Sequence, residues 1–313
     1  MASPNLSEIV TTTLRNRSKS LADNVSNHNA LLKRLKENGN TNLVTGRQIV
    51  RELEHADNST VGFYSGYESL DVSPSEVLSA ATYDYKQMAG NVTISGLEQI
   101  QNSGTEAVIN LLESRINVLE KSLMNKLSTS LYSDGTGTSG KEVGGLQLLV
   151  SDAGTGVIGG INSTTFPFWK SQQITASSSA FSTANVQTDM NNMYLKLVRG
   201  ADSPDLIMAD ATAYKAFLGS LQAIQRITSD GMANSGFTSV AYLNSDVIFD
   251  DACPENKMYF LNTDYIRLET AASRNFVPGE AKMSINQDAL VTPMFWSGNL
   301  TCSNRALQGV IHV

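Results

Sequence analysis

Residues 135–141 have the clearest chemical pattern in the sequence. Gly135-Thr-Gly-Thr-Ser-Gly-Lys141 matches GxxxxGK, in which backbone amides surround a phosphate and the lysine adds a positive charge. The next residue, Glu142, stands where a phosphate loop carries Ser or Thr for magnesium, and its carboxylate would repel phosphate. The loop also follows a predicted long helix and precedes a segment, 144–150, that we interpret as extended, whereas a phosphate loop runs from strand to helix. A nucleotide-binding enzyme that uses Lys141 is therefore a distant alternative.

The other residues that could do chemistry form no recognisable site. His28, His55 and His312 lie far apart and have no acidic or cysteine partner in a catalytic motif. The pair Asp250-Asp251 indicates a solvated turn more than a cation site. No G-x-S-x-G or H-E-x-x-H pattern occurs. We therefore predict no catalytic, cofactor-binding or metal-binding residues, and no enzyme.

Composition and charge restrict the class of protein. The 313 residues are 41% hydrophobic and 17% charged, typical of a folded chain with one large domain or two modest ones. The formal net charge of -7 argues against a protein that coats nucleic acid over its whole surface. No run approaches the ~18 apolar residues of a membrane helix, and the start lacks a signal-peptide pattern. Cys253 and Cys302 have no metal-ligand spacing, so we expect two reduced, buried thiols, synthesis in a cytoplasm and no membrane partner.

Charge is unevenly distributed along the chain. Met1–Arg51 contains eight basic and three acidic residues, whereas Glu52–Glu98 contains eight acidic residues and only Lys86 as a base. The two segments could pair within one chain or between neighbouring chains, or both could be solvated surfaces. The tyrosines of the acidic segment are not interleaved with Lys or Arg, so we expect strand packing and not base stacking for Tyr64, Tyr67, Tyr83 and Tyr85.

The first elements along the chain are a helical arm and a ribbon. Apolar residues recur on one helical face from Leu6 to Leu14 and again from Leu31 to Leu35, and Asn38-Gly39 ends the pattern. From Arg47 to Gly90, extended segments flank a Gly-, Ser- and Tyr-rich middle at Val61–Tyr67, which predicts a two-stranded ribbon with a flexible tip. An isolated ribbon is marginal in water, so it needs a partner unless it folds back on its own domain.

A long helix and a mixed domain follow. Ser95–Glu98 and Ser103–Glu106 both have capping-box spacing. After the second, one apolar stripe extends over about seven turns, through Val108, Leu111, Leu112, Ile116, Leu119, Leu123, Leu127 and Leu131. The remaining patterns predict packing aromatics at Phe166–Trp169, helices at Val186–Arg199 and Tyr214–Ile227, strands at Asp205–Ala209, Asp246–Phe249 and Met258–Leu261, and a closing run at Leu300–Val313. Helices and strands are grouped and do not strictly alternate, which indicates an α+β fold.

This order of elements resembles the phage major capsid proteins of the Hong Kong 97 fold. The resemblance covers nearly the whole chain, from the basic arm and acidic ribbon to the capped long helix, the glycine loop and the mixed domain with its returning strand. The most specific stretches are Tyr64-Ser-Gly-Tyr67-Glu-Ser-Leu-Asp71 with Tyr83-Asp-Tyr85-Lys-Gln87, Val92-Thr-Ile-Ser-Gly-Leu-Glu98 leading into Asn102-Ser-Gly104, and Leu131-Tyr-Ser-Asp-Gly-Thr136 with Gly144-Gly-Leu146.

The resemblance implies an α+β, Hong Kong 97-like fold in five segments. These are an N-terminal arm (1–38), an extended β-hairpin loop (39–90), a peripheral domain with the long spine helix (91–199), an axial domain (200–291) and a strand that returns to the peripheral domain (292–313). In that family the extended loop lies over a neighbouring subunit, which would supply the partner that the isolated ribbon lacks.

The implied function is structural. Pentamers and hexamers of the chain would form the icosahedral head of a phage around double-stranded DNA, in a virion assembled in the cytoplasm of a bacterial host. Contact with the DNA would be non-specific, and the further partners would be a portal protein, decoration proteins and a separate scaffolding protein, since the chain begins almost at the arm. Some relatives join subunits by a lysine–asparagine isopeptide bond, but the loop's only lysine is Lys86, near its base, so we expect none here.

Two alternatives remain open. The nearest is an encapsulin-like nanocompartment of the same fold, which would store enzyme cargo instead of a genome. The other, from a different class, is the nucleotide-binding enzyme that uses the glycine loop Gly135–Lys141.

Overall fold

The structure, a computed structural model, describes residues 30–101, 105–221 and 239–313. Its strands form two six-stranded sheets and two short two-stranded sheets. The strands are β1 (Thr41–Val44), β2 (Ile49–Glu54), β3 (Leu78–Tyr83), β4 (Lys86–Ser95), β5 (Val157–Ile158), β6 (Ile161–Asn162), β7 (Gln172–Thr175), β8 (Leu206–Ala209), β9 (Ser239–Tyr242), β10 (Ser245–Phe249), β11 (Lys257–Leu261), β12 (Ile266–Ala271), β13 (Val277–Pro278), β14 (Lys282–Met283), β15 (Ala289–Cys302) and β16 (Gly309–His312).

Five helices accompany these strands in the described ranges. They are α1 (Ala30–Glu37), α2 (Gly96–Gln101), α3 (Thr105–Ser130), α4 (Val186–Leu197) and α5 (Ala211–Ser220). Single helical turns also occur at Gly137–Gly140 and Leu146–Leu149, and short 3-10 turns at Pro167–Trp169, Thr263–Tyr265 and Arg305–Leu307.

The first sheet is built around the 14-residue strand β15. On one side β15 pairs antiparallel with the whole of β4, from Ala289 opposite Ser95 to Gly298 opposite Lys86. On the other side it pairs with β12, β13 and β14 in turn, and β1 adds to β12 in parallel. The long helix α3 packs on β4, where Gly90 makes the close approach possible, because a Cβ atom there would collide with the Leu119 side chain.

The second sheet has the order β7-β16-β11-β8-β10-β9 and contains both parallel and antiparallel pairs. Its central strands are apolar on both faces, as expected for strands covered on both sides. In β8, Leu206 and Met208 belong to one hydrophobic cluster, whereas Ile207 and Ala209 face a second cluster with α4 and α5. The sheet therefore lies between the two hydrophobic cores of the molecule.

Most predicted elements are confirmed within the described ranges. The strands and the helix α4 occur close to their predicted positions. Helix α1 ends at Glu37 as predicted, and Gly39 follows in the left-handed region with φ 69°. Helix α3 is confirmed, and four described members of its predicted apolar stripe are buried or partly buried, namely Ile116, Leu119, Leu123 and Leu127.

Four sequence predictions fall wholly or partly outside the described residues. They are the arm helix from Leu6 to Leu14, the position of His28, the second capping box at Ser103–Glu106 and the end of the helix predicted at Tyr214–Ile227.

Two predictions are wrong. Segment 144–150 is not extended, because Leu146 and Leu149 are both buried one helical turn apart and the Leu146 amide bonds the Leu131 carbonyl. Tyr64 and Tyr67 do not pack in strands, since they lie in the loop between β2 and β3 and their side chains are exposed. A single sequence does not distinguish a tyrosine that packs in its own chain from one that projects into solvent.

The predicted domain boundaries do not coincide with sheet membership. Strand β7 and helix α4, from the predicted peripheral segment 91–199, join the second sheet and its core. Strand β16, from the predicted return segment 292–313, also pairs in the second sheet, whereas β15 lies in the first. The five-segment division itself stays a prediction.

Candidate assembly surfaces

The ribbon β2–β3 is fixed to the body of the molecule at its base. Ile49, Leu53 and Ala81 are buried there. The Thr82 amide donates to the Gly159 carbonyl over 2.9 Å, and the Tyr83 hydroxyl donates to the Cys302 carbonyl, also over 2.9 Å. Burial raises the pKa of Tyr83, so the hydroxyl stays protonated as a donor. The predicted ribbon is confirmed, and its base folds back on its own chain.

The far end of the ribbon carries many exposed large apolar side chains within one short segment. Phe63 and Tyr67 are fully exposed, and Val72 is 91% exposed. Further exposed apolar side chains of the same ribbon are Val50, Val61, Tyr64, Leu70 and Leu78. We call residues 55–77 the ribbon tip. Exposed apolar side chains in this number over one segment are typical of a protein–protein contact, because leaving them in water is unfavourable.

The ribbon tip is also acidic. Between Glu52 and Tyr85 the sequence has no Lys or Arg. Its carboxylates are exposed at Asp57, Glu68, Asp71 and Glu76, and Glu52 and Glu54 at the adjoining end of β2 are exposed as well. A hydrogen bond from the Ser73 hydroxyl lowers the pKa of Asp71, which keeps this carboxylate charged. The ribbon tip therefore exposes aromatic and aliphatic side chains together with negatively charged carboxylates.

The base of the N-terminal arm is anchored by an ion-pair cluster. Arg34 of α1 lies 3.4 Å from the Asp205 carboxylate and 3.6 Å from that of Asp246, at the ends of β8 and β10. Asp205 also accepts the Thr263 amide over 2.7 Å and the Thr263 hydroxyl over 2.6 Å. Arg34 thus pairs with the second sheet, whereas Lys33 pairs with Glu37 within α1. The arm residues 1–29 lie outside the described part.

The outer strand β4 and the long helix α3 are tied together by Arg115. Its guanidinium donates to the Thr93 carbonyl and pairs with the Glu98 carboxylate. The predicted capping box at the start of α2 is confirmed, since Glu98 accepts the Ser95 amide over 3.0 Å while the Ser95 hydroxyl accepts the Glu98 amide over 3.3 Å. The Arg115 hydrogen bonds, followed by that of Ser95, lower the pKa of Glu98 to about 2.

A buried arginine joins several loops to the closing segment. The Arg305 guanidinium donates to the Leu149 carbonyl over 2.7 Å, the Trp169 carbonyl over 2.8 Å and the Ser171 hydroxyl over 3.3 Å. Its side chain is fully buried, and this burial lowers its pKa. The sequence analysis missed this residue, although a single charge between the apolar runs 289–302 and 309–312 is a possible signal of a buried cation.

The glycine loop is bonded to neighbouring elements. Thr138 and Ser139 adopt left-handed backbone angles, and the Gly140 carbonyl accepts the Lys86 ammonium over 2.6 Å. The Glu142 carboxylate accepts from the Lys126 ammonium over 3.0 Å, which lowers the pKa of Glu142 and keeps it negative. Lys141 is exposed. The helix α3 precedes the loop, as predicted, so no strand leads into it.

The other candidate residues are dispersed. His55 stacks near Phe168, His312 lies in β16, and Asp250 accepts the Tyr132 hydroxyl over 2.8 Å.

Both thiols are buried as predicted, and burial raises the pKa of Cys302 to about 12. In the described ranges no group of three or more His, Cys, Asp or Glu side chains is placed to hold a metal ion. Nor does any described helix have the length and apolar character needed to cross a membrane.

Comparison with known proteins gives matches in structure but not in sequence. No protein-family model and no curated protein matches the sequence significantly. The cyanophage A-1(L) capsid asymmetric unit is similar with a TM-score of 0.66 and 16% identity over 88% of this chain and 90% of that chain. The capsid of Myoviridae phage XM1 gives a TM-score of 0.54 and 11% identity over 89% and 91%.

A nanocompartment protein is also similar to this chain in structure. The holo-SrpI encapsulin complex from Synechococcus elongatus PCC 7942 gives a TM-score of 0.56 and 9% identity over 87% of this chain and 83% of that chain. The match to the cyanophage capsid has the higher TM-score. The chain therefore has the α+β fold of phage capsid proteins, as its sequence resemblance predicted.

Proposed function

We propose that this chain is the major capsid protein of a tailed phage and assembles as pentamers and hexamers into the icosahedral head around double-stranded DNA. The observation that carries the proposal is the ribbon tip, whose fully exposed Phe63 and Tyr67 find no cover in the described chain. Aromatic side chains are typical anchors of protein interfaces. In a closed symmetric shell every copy receives a neighbour's ribbon and donates its own, so all tips are covered.

The charge of the chain supports a shell around DNA more than a protein that coats it. Acidic residues outnumber basic ones, 30 to 23, and the formal net charge of -7 does not favour tight binding to phosphates, so the contact with packaged DNA is non-specific. A separate scaffolding protein, a portal protein and decoration proteins are the further partners of this proposal. The proposal also places assembly of the head in the cytoplasm of a bacterial host.

We further propose that the subunit has no catalytic function. The Lys86 contact to Gly140 and the negative charge of Glu142 beneath the glycine loop support this part of the proposal. ATP or GTP binding that disappears in the Lys141→Ala variant would overturn it.

Electron microscopy of the purified protein, alone and with its scaffold, tests the main proposal. We expect shells or tubes from the wild type and dispersed protein from Phe63→Ser/Tyr67→Ser, since the double change removes two interface anchors. Leu195→Ser is the matched control, because Leu195 is 74% exposed on α4, away from the ribbon, and this variant should assemble. A wild-type protein that stays monomeric at high concentration with scaffold present would contradict the proposal.

The content of the particles decides between the two kinds of shell. The similarity to the encapsulin complex supports a nanocompartment as the second candidate. Particles isolated from the native host that contain double-stranded DNA support the phage head. Particles that contain one folded enzyme and no DNA favour the nanocompartment.

A further inference from the structure

A charged residue lies on the face of the ribbon that packs against the body of the molecule. In β2, Ile49 and Leu53 are buried, and Arg51 lies between them on the same face, because side chains alternate along a strand. The Arg51 guanidinium lies 3.3 Å from the carboxylate of Glu269, a residue of β12 that is 1% exposed. An ion pair therefore connects the base of the ribbon to the first sheet.

The ion pair between Arg51 and Glu269 is incompletely bonded. Nε of Arg51 and Oε2 of Glu269 are both buried, and neither atom has a hydrogen-bond partner in the described chain. Burial of two charges is costly, and a single contact of 3.3 Å that leaves two polar atoms unbonded offsets only part of this cost. An apolar pair of similar size would hold the ribbon more firmly. The ion pair is therefore suited to a contact that opens.

A second arginine lies within reach of the same carboxylate. Arg267 precedes Glu269 by two residues in β12, so both side chains lie on one face of the first sheet. Positions two residues apart in a strand are separated by ~7 Å, which an arginine side chain can span. Nε of Arg267 is buried without a hydrogen-bond partner, and no residue of the described ranges forms an ion pair with Arg267. Arg267 and Oε2 of Glu269 each lack a partner that the other could supply.

We propose that Glu269 is the shared acceptor of a two-position latch at the base of the ribbon. In the first position, which the structure shows, Glu269 pairs with Arg51 and the ribbon base is held on the first sheet. In the second position Glu269 pairs with Arg267, and Arg51 turns towards solvent. The ribbon base then loses its ionic contact, while the hydrogen bonds of Thr82 and Tyr83 still attach it to the body.

The latch lowers the free energy needed to detach the ribbon base. One ion pair replaces another when Glu269 changes its partner, so the carboxylate is never left buried without a cation. A contact made elsewhere on the ribbon can therefore shift the balance between the two positions. The latch belongs to the single subunit, so its failure would leave the proposed function standing.

Hydrogen–deuterium exchange of the Thr82 amide in unassembled subunits measures the latch. This amide donates to the Gly159 carbonyl of the body, so it exchanges when the ribbon base detaches. We expect Arg51→Gln to speed its exchange by about threefold to tenfold, because Glu269 then pairs with Arg267 alone. We expect Arg267→Gln to slow its exchange by about threefold, because the second position then loses its ion pair.

Slower exchange is the result that a merely structural role of Arg267 would not give. Arg267→Met removes the same charge and keeps the aliphatic part of the side chain, so it should also slow exchange, and it replaces Arg267→Gln if that variant does not fold. Arg199→Gln is the matched control, because Arg199 is exposed after α4, and it should exchange like the wild type. Unchanged or faster exchange in the Arg267 variants would overturn the latch.

A Glu269→Gln background tests whether Arg267 acts through Glu269. The neutral amide has the same size as the carboxylate, but it gives neither arginine a charged partner. Adding Arg267→Gln to this background should therefore change the exchange of the Thr82 amide by less than about twofold. A full threefold slowing in the Glu269→Gln background would assign the effect of Arg267 to another group and overturn the latch.

Discussion

At the scale of single residues, Arg305 shows how a buried charge can be satisfied by neutral groups. Its three hydrogen-bond acceptors are two backbone carbonyls and a serine hydroxyl, and the Trp169 ring lies 5.9 Å from the guanidinium. A guanidinium is suited to this role because its five donors are fixed in one plane. The residue connects the closing segment to the loops before β7.

We predict that Arg305→Ala lowers the free energy of unfolding by about 3–5 kcal/mol, because it leaves buried carbonyls without donors and opens a cavity. Chemical denaturation followed by circular dichroism measures this loss. Lys170→Ala is the control, since Lys170 is exposed next to the same loop and should change stability by less than about 0.5 kcal/mol. A loss below about 1 kcal/mol for Arg305→Ala would show that water replaces the guanidinium.

At the scale of elements, the sequence predicted features that depend on neighbouring residues better than contacts between residues far apart in the chain. Strands, helices and the capping box at Ser95 follow from residues within a few positions of one another, so the sequence alone predicted them. The partners of Asp205 lie 58 and 171 residues away, and no local pattern indicates Thr263 or Arg34. For the same reason the ribbon was predictable as a ribbon, whereas the contact of Arg51 with Glu269 required the structure.

The capping box provides a prediction of pH dependence. The pKa of Glu98 is lowered in the folded state to about 2, from its ordinary value of 4.5. A carboxylate with a lowered folded pKa stabilises the fold fully above its unfolded pKa, and this contribution is lost as pH falls from about 4.5 to about 2. We expect Glu98→Gln to unfold with a shallower dependence on pH in that interval. Thermal unfolding of the wild type and of Glu98→Gln between about pH 5 and about pH 2 measures this difference. If the unfolding temperature fell equally steeply with pH in both proteins, the lowered pKa of Glu98 would be contradicted.

At the scale of the whole molecule, stability and assembly depend on different surfaces. The second sheet contributes alternate residues to two cores. A substitution that destabilises the core on one face therefore also destabilises the core on the other face, because the two cores share strands. The ribbon tip contributes to neither core and is available for contacts between copies. This separation is suited to a subunit that first folds by itself and then associates.

The shared sheet predicts a single cooperative unfolding transition. Ile207 faces the core with α4 and α5, whereas Trp169 and Trp296 both lie in the other core. We expect Ile207→Ala to lower the free energy of unfolding by about 2–5 kcal/mol, and the tryptophan fluorescence midpoint to shift together with the circular dichroism midpoint. Leu195→Ala, at an exposed position on α4, should leave both midpoints within experimental error of the wild type. If the fluorescence midpoint stayed in place while circular dichroism showed an earlier transition, the two cores would unfold independently, and β8 would not couple them.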